Sequence, residues 1–142
     1  MYTYTYLHRV RYRECDPMRV VYHAHYLDYF EAARTDALRE AGLVYKELED
    51  AGFIMPVIEA KLKYHRSCYY DELLEIKTMV KEVPKTRLEI LYEVRAQGED
   101  RVRVSGTVTL CFIETSRGRP ISAPDVVTQA FDRAITSDLT LS

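Results

Sequence analysis

The pattern of the chain predicts one α+β domain, an antiparallel sheet covered on one face by a long helix. Three observations carry that expectation. Residues 2 to 14 alternate with period two, residues 24 to 41 repeat at spacings of three and four, and four more alternating segments follow with short polar connections. At 142 residues the chain can bury a core of its own without disulfide or metal staples.

In the first segment Tyr2, Tyr4, Tyr6, His8, Val10 and Tyr12 share one face, and Thr3, Thr5, Leu7, Arg9, Arg11 and Arg13 the other. Tyr and Thr at period two suit a half-buried strand. Asp16-Pro17 ends it, because Pro lacks a ladder donor and Asp starts turns. From Ala24 to Ala41 the residues Leu27, Phe30, Ala33, Ala37, Leu38 and Ala41 form an apolar stripe interrupted by Arg34. Asp28 and Glu31 favour the helix start, Gly42 its end. Such a helix spans roughly 27 Å. Residues 43 to 52 predict a second short helix closed by Gly52.

The rest alternates. Ile58 to Tyr64, Leu74 to Val80, Leu88 to Ala96 and Val102 to Phe112 each place apolar residues on one face. Turns at Gln97 to Asp100 and Ser116 to Pro120 imply antiparallel hairpins. Leu91, Cys111 and Ile113 fall on the second face of the sheet and favour a partner there. A short helix is expected over Pro124 to Ile135, with Thr136 to Ser142 frayed. No repeat or linker divides residues 1–142, so a single domain is expected.

The composition, 47% hydrophobic and 30% charged with a formal net charge of −2, argues against nucleic acid as the main partner. The N-terminus lacks the apolar run of a signal peptide, and no stretch is long enough for a membrane span. Cys15, Cys68 and Cys111 are odd in number, far apart, and make no metal-binding spacing. A reducing cytoplasm suits them. Cys15 beside Asp16 is a candidate thiol, with packing the simpler role. P-loop, GxGxxG, HExxH and GxSxG patterns are absent, which leaves nucleotide, zinc-protease and serine-hydrolase readings without support.

The candidate chemistry lies in Tyr12 to Arg34, YRECDPMRVVYHAHYLDYFEAAR. There a carboxylate, Asp16, precedes the N-terminus of a helix, an end that attracts developing negative charge. Taken singly, Asp16 is a turn-former, His23 a helix-start residue and Tyr12 one more ring on a packed strand face.

Their spacing resembles the signature of the acyl-CoA thioesterases of the 4-hydroxybenzoyl-CoA thioesterase family, including the branch associated with the bacterial Tol–Pal system. The family pattern has an Asp, three residues ending in Gly, two branched apolar residues, an aromatic, often a His, and a downstream Tyr. Here these are Asp16, Pro17-Met18-Arg19, Val20-Val21, Tyr22, His23 and Tyr26, followed by Tyr29-Phe30-Glu31 and Arg34. The order of elements and the RGRPISAP segment, Arg117 to Pro124, also look familial.

The resemblance implies the hotdog fold, an antiparallel five-stranded sheet wrapped around a long central helix. It further implies a homodimer, often paired into a homotetramer, with active sites at subunit boundaries. The substrate would be an acyl-CoA, hydrolysed to a carboxylic acid and free CoA without metal or cofactor. Asp16 takes the role of general base or nucleophile, and Tyr12 and His23 occupy the positions that line the site in the Tol–Pal branch. Backbone N–H groups around His23 and Ala24 would polarise the thioester oxygen.

Tyr26, Phe30 and Ile54 to Ile58 are core residues first and acyl-channel candidates second. Arg66, Lys85, Arg87, Arg117 and Arg119 are candidates for the CoA phosphates. Arg19 departs from the pattern, standing where the family usually has Gly. It implies backbone strain at positive φ, a guanidinium beside Asp16, or a contact to the ligand's phosphates. The alternative from another class is a non-catalytic hotdog protein binding acyl-CoA or acyl-carrier protein.

Overall fold

The computed structural model describes residues 1–141, with side chains to residue 137. Five long strands form one antiparallel sheet in the order β1 (Tyr2–Arg9), β4 (Leu73–Val80), β5 (Arg87–Ala96), β6 (Val104–Glu114) and β3 (Val57–Tyr64). Two short strands, β2 (Phe53–Ile54) and β7 (Arg119–Ile121), extend the pairing at the far end of β6. The expected five strands are thus present, with these two pieces added. The alternation places Leu74, Ile76, Leu88, Ile90, Val94, Val108 and Leu110 in the core. Leu91, Cys111 and Ile113 are half-buried on the second face.

Against the concave face lies α1 (His25–Glu40), the central helix of the fold. Its buried stripe is Tyr26, Tyr29, Phe30, Ala33, Ala37 and Leu38. Leu27, placed on the stripe by periodicity, is instead exposed, while Tyr26 and Tyr29 extend the buried stripe. The helix ends where expected: Gly42 has φ 94°, and the Leu43 N–H donates to Leu38 O at 2.8 Å. The Arg34 that interrupts the stripe donates through Nη1 to the Tyr92 hydroxyl at 3.3 Å.

Helix and sheet meet most closely at Phe30. Its ring stacks on Tyr92, with centroids 4.2 Å apart and planes inclined by 5°. A Cβ at Gly106 would come within 2.6 Å of Phe30 Cε2, so the absence of a side chain there admits the ring.

The short helix α2 (Tyr45–Asp50) follows as expected. The terminal helix α3 (Asp125–Leu141) is longer than expected and continues through Thr136; Ser142 lies outside the described residues. Its Phe131 packs edge-on against Tyr2, 6.4 Å between centroids. That contact places α3 over β1.

The strand expected through residue 14 is shorter in the structure. It stops at Arg9, and a 3-10 turn, Tyr12–Glu14, follows. Tyr12 therefore leaves the packed face on which alternation had put it and is 70% exposed. The opposite sheet edge, β3, is open: Val57, Ile58 and Tyr64 are exposed along it.

Candidate active site

Between β1 and α1 the chain forms a small hairpin. Tyr22 N–H donates to Glu14 O at 2.9 Å, Cys15 bridges Val21, and Asp16 N–H donates to Val20 O at 2.9 Å. The turn at its tip is Asp16 to Arg19, closed by the Arg19 N–H on Asp16 O at 2.9 Å. Asp16 Oδ1 accepts from Met18 N–H at 2.8 Å and from Val20 N–H at 3.4 Å. The Asp-Pro turn seen in the sequence thus fixes the carboxylate's direction. Oδ2 has no recorded partner among the described residues.

Closing this turn needs a left-handed residue at its fourth position, and Arg19 supplies it with φ 64°. A non-glycine residue there costs roughly 1 kcal/mol, so the expected strain at Arg19 is present. Its guanidinium does not settle beside Asp16. It lies over the ring of Tyr70, 5.7 Å from the centroid, a cation–π contact. Tyr12 meets the same ring edge-on at 5.6 Å. Tyr12, Cys15, Asp16, Pro17, Arg19 and Tyr70 line one cleft of about 350 Å³.

The second wall of the cleft is the loop between β3 and β4, docked on the hairpin by Val21 N–H to Cys68 O at 2.8 Å and Tyr70 N–H to Arg19 O at 3.1 Å. Arg103 holds that loop. Its guanidinium donates to Ser67 O at 2.8 Å, to both carboxylate oxygens of Glu72 at 3.0 Å, and to Glu99 at 2.9 and 3.1 Å. The hydrogen bonds that Arg103 donates to Glu99 push its pKa up, against the opposing effect of burial. Only 8% of this side chain is exposed.

Glu14 ties the hairpin to the core. Its Oε1 accepts from Arg11 N–H at 2.8 Å and from the Tyr29 hydroxyl at 3.0 Å, and lies 2.9 Å from His8 Nε2. Burial pushes the Glu14 carboxyl up, but those hydrogen bonds outweigh it and hold the group below its ordinary 4.5.

Where the hairpin ends, α1 begins at Ala24 with no side-chain cap. Among the described residues no partner is recorded for the N–H groups of His23 and Ala24, so this helix end offers free donors. His23 is exposed and sits among rings, 4.4 Å from Tyr22 and 6.3 Å from Tyr64 between centroids. The Tyr64 hydroxyl donates to His23 O at 3.3 Å. That bond places the helix start at the open β3 edge.

A family model described as the thioesterase-like superfamily matches residues 10–131. The chain belongs to this superfamily. It is 32% identical over 124 residues to the acyl-CoA thioesterase YbgC of Haemophilus influenzae, covering 87% of this chain and 90% of that one. A 1,4-dihydroxy-2-naphthoyl-CoA hydrolase of Thermosynechococcus vestitus is 27% identical over 121 residues, with 84% and 83% covered. Among solved structures, a DHNA-CoA thioesterase of Staphylococcus aureus superposes with a TM-score of 0.85 at 28% identity, over 99% of this chain and 93% of that one. The fold of this superfamily member is the hotdog fold, as the resemblance implied.

Of the three site residues drawn from the sequence, the structure of this superfamily member brings Tyr12 and Asp16 into one cleft. It leaves His23 outside that cleft, at the helix start. Cys15 is not an activated thiol: burial and the carboxylates of Glu14 and Asp16 push it up, only partly offset by Arg19.

Among the candidates for CoA phosphates, Arg66 lies at the site's end of the sheet, its N–H on Arg103 O. Lys85, Arg87, Arg117 and Arg119 belong to the other end, about 30 Å away along the ten-residue β5. Sequence reasoning missed Tyr70 and Arg103. Tyr70 carries no local signal, because its role depends on a contact some fifty positions from Arg19. Arg103 sits in an Arg-Val-Arg-Val run that resembles a solvated strand face; its i, i+4 spacing from Glu99 was the available clue.

Proposed function

We propose that this chain hydrolyses acyl-CoA thioesters to a carboxylic acid and free CoA, with Asp16 as nucleophile or general base. One observation supports this most. The Asp16 carboxylate is oriented by its own turn inside an open cleft, and the same hairpin feeds an uncapped helix N-terminus. Acyl transfer needs those two parts: a directed carboxylate and donors for a developing oxyanion. The names of the relatives fit that chemistry, and the spacing of Tyr12, Asp16 and His23 favours the Tol–Pal-associated branch.

In this scheme Asp16 attacks the acyl carbon, forming an anhydride that water then opens, or it takes a proton from the attacking water. Either route consumes one water and releases the thiolate, which leaves protonated as CoA. Free N–H groups at the start of α1 receive the carbonyl oxygen as it becomes negative. The Tyr12 hydroxyl, exposed at the cleft, hydrogen-bonds the carbonyl or the water. His23 gives the departing thiolate its proton.

The open β3 edge supports a homodimer. Val57, Ile58 and Tyr64 are exposed there on a strand with one unpaired side, a surface that a second copy would cover. Because Tyr64 touches the helix start, a dimer formed on this edge puts the site at the subunit boundary. His23 of one chain then has a route to substrate that the isolated chain does not show.

The test is release of free thiol from a panel of straight-chain, branched and aromatic acyl-CoAs by the purified protein. Turnover of at least one supports the proposal. Binding of acyl-CoA with no turnover of any panel member refutes it in favour of a non-catalytic acyl-CoA-binding protein.

A further inference from the structure

A thioesterase site built on a carboxylate has no obvious need for a cation in the same cleft, yet Arg19 is there at a conformational cost. Among the described residues only two non-glycine residues have positive φ, Arg19 at 64° and Asp71 at 69°. They stand on the two segments that meet at this cleft, Asp71 next to the Tyr70 that receives the guanidinium. Strain of this kind collects where a side chain must be held in one place. Neither residue is needed to close the core.

The guanidinium is held but not neutralised. Its recorded side-chain contact is the face of Tyr70, and among the described residues it makes no ion pair or hydrogen bond. A guanidinium held over a ring face keeps its N–H groups available, because the ring offers no acceptor in its plane. Its N–H edge matches a carboxylate, taken by two parallel hydrogen bonds. Asp16 is the neighbouring carboxylate, but its Oδ1 faces the turn's own N–H groups and among the described residues it forms no ion pair with Arg19.

Distance decides between the two anions an acyl-CoA can offer. The cleft, about 350 Å³, has a diameter of roughly 9 Å and contains both Asp16 and Arg19. The pantetheine arm is as long as about four residues of extended chain, roughly 14 Å. With the thioester at Asp16, the CoA diphosphate lies beyond this cleft. An anionic group on the acyl side falls within it.

We propose that Arg19, held on Tyr70, selects acyl groups that carry their own carboxylate a few carbons from the thioester. This inference rests on the thioesterase reading and specifies its substrate class. Arg19 would also offset the repulsion between such an acyl group and Asp16, which a neutral acyl group does not experience.

The experiment compares glutaryl-CoA with valeryl-CoA, equal in chain length and different in terminal charge. The wild type is expected to favour glutaryl-CoA by about tenfold in kcat/KM, mainly through KM, as one bidentate charged contact allows. Arg19→Met, which keeps the strained backbone, brings the ratio to one or below, because the repulsion from Asp16 is then no longer offset; Arg19→Lys keeps part of the preference. The preference shrinks as salt is raised, since the guanidinium is solvent-facing.

Hydrolysis of valeryl-CoA as well as glutaryl-CoA, or confined to uncharged acyl groups, overturns the inference and leaves the thioesterase reading intact. An equal rise in KM for both substrates in Arg19→Met also overturns it, because it would place Arg19 on the CoA phosphates. Turnover of no acyl-CoA at all overturns both.

Discussion

Replacing Gly106 by Ala tests the closest contact of the fold. The added Cβ would sit 2.6 Å from Phe30 Cε2 and 3.1 Å from both Phe30 Cζ and Lys61 O. Ordinary contact needs about 3.5 Å or more, so the ring must retreat by nearly 1 Å. Its freedom to do so is small, because Phe30 is fully buried and its ring stacks on Tyr92 at 4.2 Å. Lys61 O belongs to the neighbouring strand's backbone and cannot swing aside. Overpacking of this kind costs about 1–3 kcal/mol. Removing a glycine from a strand returns about 0.5–1 kcal/mol, which leaves a net loss of about 0–2.5 kcal/mol, centred slightly above 1. For 142 residues the unfolding entropy is about 0.3 kcal/mol/K, so the central value lowers Tm by about 4 °C. Calorimetry on Gly106→Ala and on Gly106→Ala/Phe30→Leu measures it. The shorter side chain should couple favourably to the alanine by at least about 0.5 kcal/mol. An unchanged or raised Tm for Gly106→Ala refutes the packing argument.

Three further outcomes follow from the same geometry. Arg103→Met leaves Glu72 and Glu99 facing a buried, uncharged stem; with both carboxylates partly exposed, the loss is about 2 kcal/mol in urea unfolding, and an unchanged urea midpoint contradicts it. Glu14 titrates below its ordinary 4.5 when folded, so its share of stability is full above that value and is lost as pH falls through the lowered one. Glu14→Gln therefore lowers stability at pH 7 and flattens its decline as pH falls below 4.5; equal declines in both proteins would show that Glu14 contributes none of it. His23→Ala lowers kcat by about 10²-fold while KM changes little, the pattern of a lost proton donor; loss confined to KM would make His23 a binding residue.

The central helix and the strands β4, β5 and β6 were legible because one face of each is buried, and burial imprints a period; β3 alternates in sequence too, but the face on which that put Ile58, Ala60 and Tyr64 is exposed at the sheet edge. The same rule failed where burial stops. Tyr12 continues the alternation of β1 in the sequence, but the chain has turned into a 3-10 turn by then and the ring faces solvent. Leu27 also departs from the pattern: the buried stripe centres on Tyr26, Phe30, Ala33 and Ala37, and Leu27 lies to its side and is exposed.

The turn at Asp16-Pro17 was legible from its residue types, and the strain at Arg19 from the family resemblance, which puts Gly at that position. What Arg19 does with its guanidinium was not. That depends on Tyr70, which a loop held by Arg103 brings across from another part of the chain. Asp16 and Tyr12 line one cleft, brought together by a 3-10 turn and a hairpin that the alternation did not announce. His23, beyond the hairpin and at the open β3 edge, did not join them within one chain.

The central claim, that Asp16 cleaves a thioester in this cleft, is tested most directly by one ratio. It is kcat/KM for thiol release by the wild type over that of Asp16→Asn, on the best acyl-CoA of the panel. Asn keeps the shape and can accept the Met18 N–H bond, so the variant should remain folded with a Tm close to that of the wild type. Loss of the carboxylate should lower kcat/KM by about 10²–10⁴-fold. A folded Asp16→Asn that hydrolyses the substrate as fast as the wild type would contradict the account.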